Sequence, residues 1–173
     1  MACLSSAHLC PTLNQIFPMH KIVIADASCL IILDKIGELN LLKNVYDTVW
    51  TTPEIAQEFQ DELPDWIIIE SVKDKKYQEF LATQIDLGEA SAIALAKEKE
   101  SPLLLIDDLK ARKLATKLNF KFTGTLGIIH KAKQIGVIDK IKPLLDKLKA
   151  TNFRISENII HELLQKNNEI PDN

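Results

Sequence analysis

The stretch KIVIADASCLIIL, residues 21–33, decides how the chain folds. Its first part is a short unbroken run of Ile, Val and Ala, the composition of a strand buried on both faces. Asp26 ends that run, small Ala27 and Ser28 follow, and a second apolar segment then takes helical spacing. A buried strand turning through an Asp into a helix is a β-α unit. The pattern returns at LLLIDDLKARKLA, residues 103–115, with Asp107 and Asp108 at the turn.

Working outward, strands are predicted at 21–25, 46–50, 66–70, 103–106 and 120–123, all with the look of strands covered on both faces. Helices are predicted at 28–37, 53–61, 74–84, 88–99, 110–118, 125–135, 138–149 and 156–166. Thr52-Pro53 reads as an N-cap followed by Pro in the first turn, and Gly37 and Gly136 read as helix stops. Asp86-Leu87-Gly88-Glu89 has the spacing of a capping box. Strand–helix alternation with short links predicts an α/β fold, a parallel sheet with helices on both faces. Right-handed crossovers then put every strand's carboxyl end along one edge. A single domain is expected over 19–166, with 1–18 as a poorly ordered N-terminal extension and 167–173 as a tail.

Composition sets outer bounds. Of 173 residues, 46% are hydrophobic and 26% charged, which excludes a disordered or fibrous chain. Lys plus Arg is 21 against 24 Asp plus Glu, so a uniformly basic nucleic-acid binder is excluded too. Three cysteines without CxxC spacing make neither a zinc site nor a disulfide framework, and a reducing cytoplasm is the simplest setting. The longest apolar stretch, 22–33, is interrupted at Asp26 and Ser28 and falls short of the ~18 residues of a membrane span, so no membrane partner is expected. The near-neutral total hides a division. Residues 54–108 hold 14 acids and 5 bases, whereas 109–149 hold 2 acids and 11 bases.

The acids with chemical promise sit where α/β sheets bind ligands, beyond strand carboxyl ends. Asp26 follows the first strand. Asp107 and Asp108 follow the fourth, and two like charges ~4 Å apart cost about 4 kcal/mol at a surface-like dielectric, a cost a cation offsets. One Asp suffices to cap the next helix, so the second is the informative one. Glu58 borders the apolar face of the helix opened by Thr52-Pro53, while Glu54 at that helix's start is structural. Glu89 is explained by the capping box, yet it opens a helix of small residues that can pack close to the sheet. Clusters of oxygen donors alone suit Mg²⁺ or Mn²⁺ rather than zinc. His8, His20, His130 and His161 lack ligand spacing, and no Gly-rich phosphate loop is present.

These segments resemble the PIN-domain superfamily of metal-dependent ribonucleases, in a prokaryotic branch related to VapC-type toxins. The resemblance rests on IVIADASCLIIL (22–33), TTPEIAQEF (51–59), DLGEASAIALA (86–96), LLLIDDLKARKLA (103–115), TGTLGIIHKAKQIGVI (123–138) and PLLDKLKATNFRIS (143–156). It implies a three-layer α/β/α sandwich with a mainly parallel central sheet. It implies hydrolysis of RNA phosphodiester bonds at a carboxylate cluster, in a cytoplasmic endoribonuclease that a toxin relative pairs with an antitoxin protein. By motif, Asp26, Glu58 and Glu89 match three of the family's acids, and Asp107 and Asp108 straddle the fourth position. Ser28 matches a small hydroxyl residue of the first motif. Mg²⁺ or Mn²⁺ would be held by Asp26, Glu89 and Asp107 or Asp108, with Glu58 beside them. Lys110, Arg112, Lys113 and Lys117 would contact phosphates. This reading requires Asp26, Glu89 and Asp108 to stand within reach of a shared ion. The alternative is a non-catalytic nucleic-acid- or protein-binding module on the same fold. The apolar faces of the helices at 138–149 and 156–166 serve either core packing or a homodimer or antitoxin surface.

Overall fold

The computed structural model describes residues 22–170; the proposed extension at 1–18 and the last tail residues lie outside the described residues. Five strands form one sheet: β1 (Val23–Ala25), β2 (Val49–Thr51), β3 (Ile67–Ile69), β4 (Leu103–Leu105) and β5 (Lys121–Thr123). The helices are α1 (Ala27–Lys35), α2 (Asn40–Val45), α3 (Pro53–Phe59), α4 (Lys75–Leu81), α5 (Leu87–Lys97), α6 (Leu109–Lys117), α7 (Thr125–Gln134), α8 (Lys142–Lys149) and α9 (Glu157–Lys166). The spatial order is β3-β2-β1-β4-β5 and every pairing is parallel. Val23 of β1 stands opposite Val49 on one side and Leu103 on the other.

The chain runs outward from β1 through β2 to β3, then returns across the sheet to β4. Strand order therefore reverses between β1 and β4, the place where open α/β sheets bind ligands. Helices α4, α5 and α6 pack together, with α5 against β1 and β4; α1, α2 and α7 make the other set. The result is the expected α/β/α sandwich. Helix α3 touches both α1 and α5. β1 and β4 are wholly buried, as their Val, Ile and Leu runs require.

Local signals account for most helix ends. Thr52 caps α3, and Asp86 and Glu89 form the reciprocal capping box of α5. Gly37 and Gly136 take φ of 71° and 76°. Each closes a Schellman turn, with Glu38 N–H donating to Leu33 and Val137 N–H to Ala132.

Several expectations are corrected. The second strand is Val49–Thr51 rather than 46–50, because Tyr46 is the C-cap of α2, a helix the sequence did not announce. α2 is six residues long with no side-chain cap, so packing against α7 rather than a local signal holds it. β3 and β5 are edge strands and not covered on both faces: Ile68 and Ile69 are 40% and 49% exposed. The helix predicted over 138–149 begins at Lys142. Its apolar face and that of α9 turn inward, with Ile141, Leu144, Leu145, Leu148, Ile160 and Leu164 buried, while Ile159 stays exposed. No helix among the described residues is long and apolar enough to cross a membrane.

Candidate active site at the carboxyl edge of the sheet

Each acid is held by a helix start or lies over one. Asp26 leaves β1 and caps α1: its Oδ2 accepts from Ser28 Oγ at 2.7 Å and from Ser28 N–H at 3.3 Å. Its own N–H donates to Leu105 O at 3.0 Å, which pins it across the β1–β4 junction. Asp26 is buried, and burial pushes its carboxyl upward while the Ser28 bonds oppose that shift. The Ser28 hydroxyl is thereby turned toward Asp26.

Asp108 leaves β4 and caps α6, its Oδ1 accepting from Lys110 N–H at 2.6 Å and Ala111 N–H at 3.0 Å. Glu89 sits in the first turn of α5, accepting from Asp86 N–H at 3.3 Å, and Asp86 accepts from Glu89 N–H at 2.8 Å. Glu89 is only 7% exposed. Burial first, then the charges of Asp86, Asp108 and Asp26, push its carboxyl up to about 8. Glu58, on α3, is raised by burial and then by Asp86 and Asp26. Its carboxylate lies over the first turn of α5: a Cβ on Gly88 would stand 2.7 Å from Glu58 Oε2 and 3.4 Å from Asp86 Oδ1. The fold thus puts Glu89 in the electric field of Asp86, Asp108 and Asp26, and Glu58 in that of Asp86 and Asp26. Asp86 belongs to the same group, although its capping role alone had explained it in the sequence. The available signal was its place beside Glu89 at the same helix start.

Two buried hydroxyls align α3 with α5. Thr52 Oγ1 and Ser91 Oγ are 2.6 Å apart, and Ser91 donates to Gly88 O at 2.7 Å. Ala at 90, 92, 94 and 96 lets α5 lie close to β1 and β4.

Asp107 is placed differently from Asp108. Its carboxylate accepts from Arg112 Nη2 at 3.0 Å, Thr125 N–H at 3.1 Å, Thr125 Oγ1 at 2.5 Å and Cys29 Sγ at 3.1 Å. Arg112 Nε also donates to Ile106 O at 2.8 Å. Asp107 therefore ties the end of β4 to α1, α6 and α7. Gly124 makes the clasp feasible, since a Cβ there would collide with Arg112 and Asp107.

Asp86, Glu89, Asp108 and Lys110 line an open pocket of about 360 Å³ with residues 82–85. Lys110, Lys113 and Lys117, on one face of α6, line an adjoining groove with Gln84 and Ile85. Among the described residues no cation pairs with Asp26, Glu58, Glu89 or Asp108; Asp107 alone of the five has one. The all-oxygen donor set and this uncompensated charge fit a hard divalent cation. The shared-ion expectation for Asp26, Glu89 and Asp108 differs from the side chains as they stand. Among the described residues, no three His, Cys, Asp or Glu are grouped to hold one ion. The physical reason is capping: a helix start engages an oxygen of each, and like charges gain nothing by closer approach.

An acidic pocket at the strand-order reversal of a parallel α/β/α sheet marks a class of ligand-binding α/β proteins. The PIN-domain family profile matches residues 22–169, and the chain belongs to that family. PIN domains are generally nucleases that use divalent metals, which makes a nucleic acid the substrate class. No curated protein and no solved structure matches the chain.

Proposed function

We propose that this protein is a metal-dependent endoribonuclease that hydrolyses RNA phosphodiester bonds at the acidic pocket. The carrying observation is Glu89, whose carboxyl is raised to about 8 by burial beside Asp86, Asp108 and Asp26. A pocket this anionic repels a phosphodiester until a cation neutralises it. Asp26, Glu89 and Asp108 are the residues to hold Mg²⁺ or Mn²⁺, with Glu58 and Asp86 adding negative charge. When bound, such an ion supplies charge neutralisation at the phosphate and activation of the attacking water. Ser28 orients Asp26 through its hydroxyl. Asp107, engaged by four donor groups, positions α6 and α7 rather than binding the ion. Lys110, Lys113 and Lys117 hold backbone phosphates beside the pocket, while Arg112 acts inward through Asp107.

Cleavage of RNA with added Mn²⁺, by the wild type beside Asp26→Asn, tests this reading. Activity is expected in the wild type and lost in the variant; equal activity removes Asp26 from the site. One observation favours a binding module without catalysis, namely the lack of three carboxylates grouped on one point among the described residues. Calorimetric titration with Mn²⁺ separates the two: saturable heat supports the enzyme, and no binding at millimolar metal supports the module.

A further inference from the structure

A second depression adjoins the acidic pocket. Asp108 forms the wall between them. Beyond it, Phe122, Phe153, Leu126 and Ile159 line a groove of about 660 Å³, with Arg154 at its rim. Leu109 and Ile159 in this groove are 69% and 43% exposed, so core packing does not explain them. Phe122 and Phe153 are each only partly buried. Arg112 lies 6.0 Å over the ring of Phe122. Among the described residues Arg154 has neither a hydrogen bond nor an ion pair, whereas Arg112, which lines the same groove, is held by Asp107. Gly124 and Gly127 also line this groove.

The three depressions run in a fixed sequence. The Lys110–Lys113–Lys117 groove shares Gln84, Ile85 and Lys110 with the acidic pocket, and the acidic pocket shares Asp108 with the aromatic groove. Cations, acids, then aromatics with a free arginine is the order in which a strand would meet phosphate contacts, the reacting phosphate and a base. An apolar peptide would match the aromatic floor but not the lysine groove at the other end of the path. A phosphodiester strand matches both, through its anionic backbone and its flat π faces.

Resting on the nucleic-acid reading of the acidic pocket, we propose that the Phe122–Phe153 groove is a nucleobase subsite. It receives one unpaired base of the single strand next to the reacting phosphate, and Arg154 holds that nucleotide's phosphate. Stacking is sequence-tolerant, because every base has a π face. The subsite selects unpaired over paired nucleic acid rather than one base over another.

The test uses fluorescence anisotropy with the full chain and two 5′-fluorescein strands of equal length. One is mixed-sequence single-stranded RNA, and the other carries abasic tetrahydrofuran units in place of nucleosides. Phe153→Ala should weaken binding of the base-bearing strand at least about fivefold and leave the abasic strand unchanged. Phe153→Trp should restore binding, which a merely destabilised fold would not do. Arg154→Ala, at an exposed position, should weaken both strands equally and lower the salt slope by about 0.7. Equal effects of Phe153→Ala on the two strands, or failure of the wild type to prefer the base-bearing strand, would overturn the subsite. Base-dependent binding without Mn²⁺-dependent cleavage keeps the subsite and removes the nuclease reading. Cleavage without base-dependent binding does the reverse.

Discussion

Thr52 and Ser91 meet through a 2.6 Å hydrogen bond between buried hydroxyls. That bond joins α3, which carries Glu58, to α5, which carries Glu89. Thr52 Oγ1 also accepts from Ile55 N–H at 3.3 Å, so one hydroxyl both starts α3 and fastens it to α5.

Thr52→Val should therefore cost about 1–2 kcal/mol, from the lost cap and the lost buried bond. Urea unfolding measures the stability loss. A parallel fall in Mn²⁺ affinity shows that the bond sets the spacing of Glu58 and Glu89. Unchanged Mn²⁺ affinity would mean that it serves stability alone.

The two adjacent aspartates should separate by role. Asp107→Asn removes the charge that Arg112, Thr125 and Cys29 share, and it should destabilise the fold by about 2 kcal/mol. Asp108→Asn keeps a residue that caps as well as Asp, so it should cost less than about 1 kcal/mol. Its Mn²⁺ affinity should nevertheless drop at least about tenfold. Unfolding curves and calorimetry on both variants check this pair, and the opposite pattern would make Asp107 the ligand.

Glu89 predicts a pH dependence. Its carboxyl titrates near 8 in the fold against 4.5 for the free group. Between those values the folded chain holds more protons than the unfolded one, so this group's contribution to stability falls as pH rises from about 4.5 to about 8. Glu89→Gln should flatten that loss. A bound dication must displace the same proton, so Mn²⁺ affinity should climb over this window and binding should release protons. Titrations in buffers of different ionisation enthalpy measure the release; none at pH 7 would place Glu89 outside the metal site.

Gly88→Ala probes Glu58 without dismantling the helix. The new Cβ meets the far end of the flexible Glu58 side chain, which can swing away, and Ala favours the helix. Stability should hold within about 1 kcal/mol while RNA cleavage declines. Full cleavage would show that the position of the Glu58 carboxylate is immaterial.

The lysine groove makes the last prediction. Each of Lys110→Ala, Lys113→Ala and Lys117→Ala should weaken RNA binding and lower its salt slope by about 0.7. A slope that stays constant across the three would move the phosphate path off this face of α6.

Much of this was legible because it is local. KIVIA and LLLI announced buried strands, Thr52-Pro53 and Asp86–Glu89 announced helix starts, and Gly37 and Gly136 announced stops, since hydrophobic period and capping chemistry are properties of a few neighbouring residues. α2 and the true position of β2 were not legible, because packing against α7 supplies what six uncapped residues lack. The identity of the acids could be read along the chain, but their division of labour could not. Asp107 and Asp108 are neighbours of the same type, and Arg112, Thr125 and Cys29 reach only the first. Nor could the sequence place Phe122 and Phe153, far apart in the chain, across one groove. Sequence alone determined the strands that end at Asp26 and at Asp107-Asp108 and the helix that Glu89 opens, and hence that these acids fall toward one edge of a parallel sheet. Tertiary structure alone decided which carboxylates remain without a cation, because burial and charge act through space between residues the chain keeps apart.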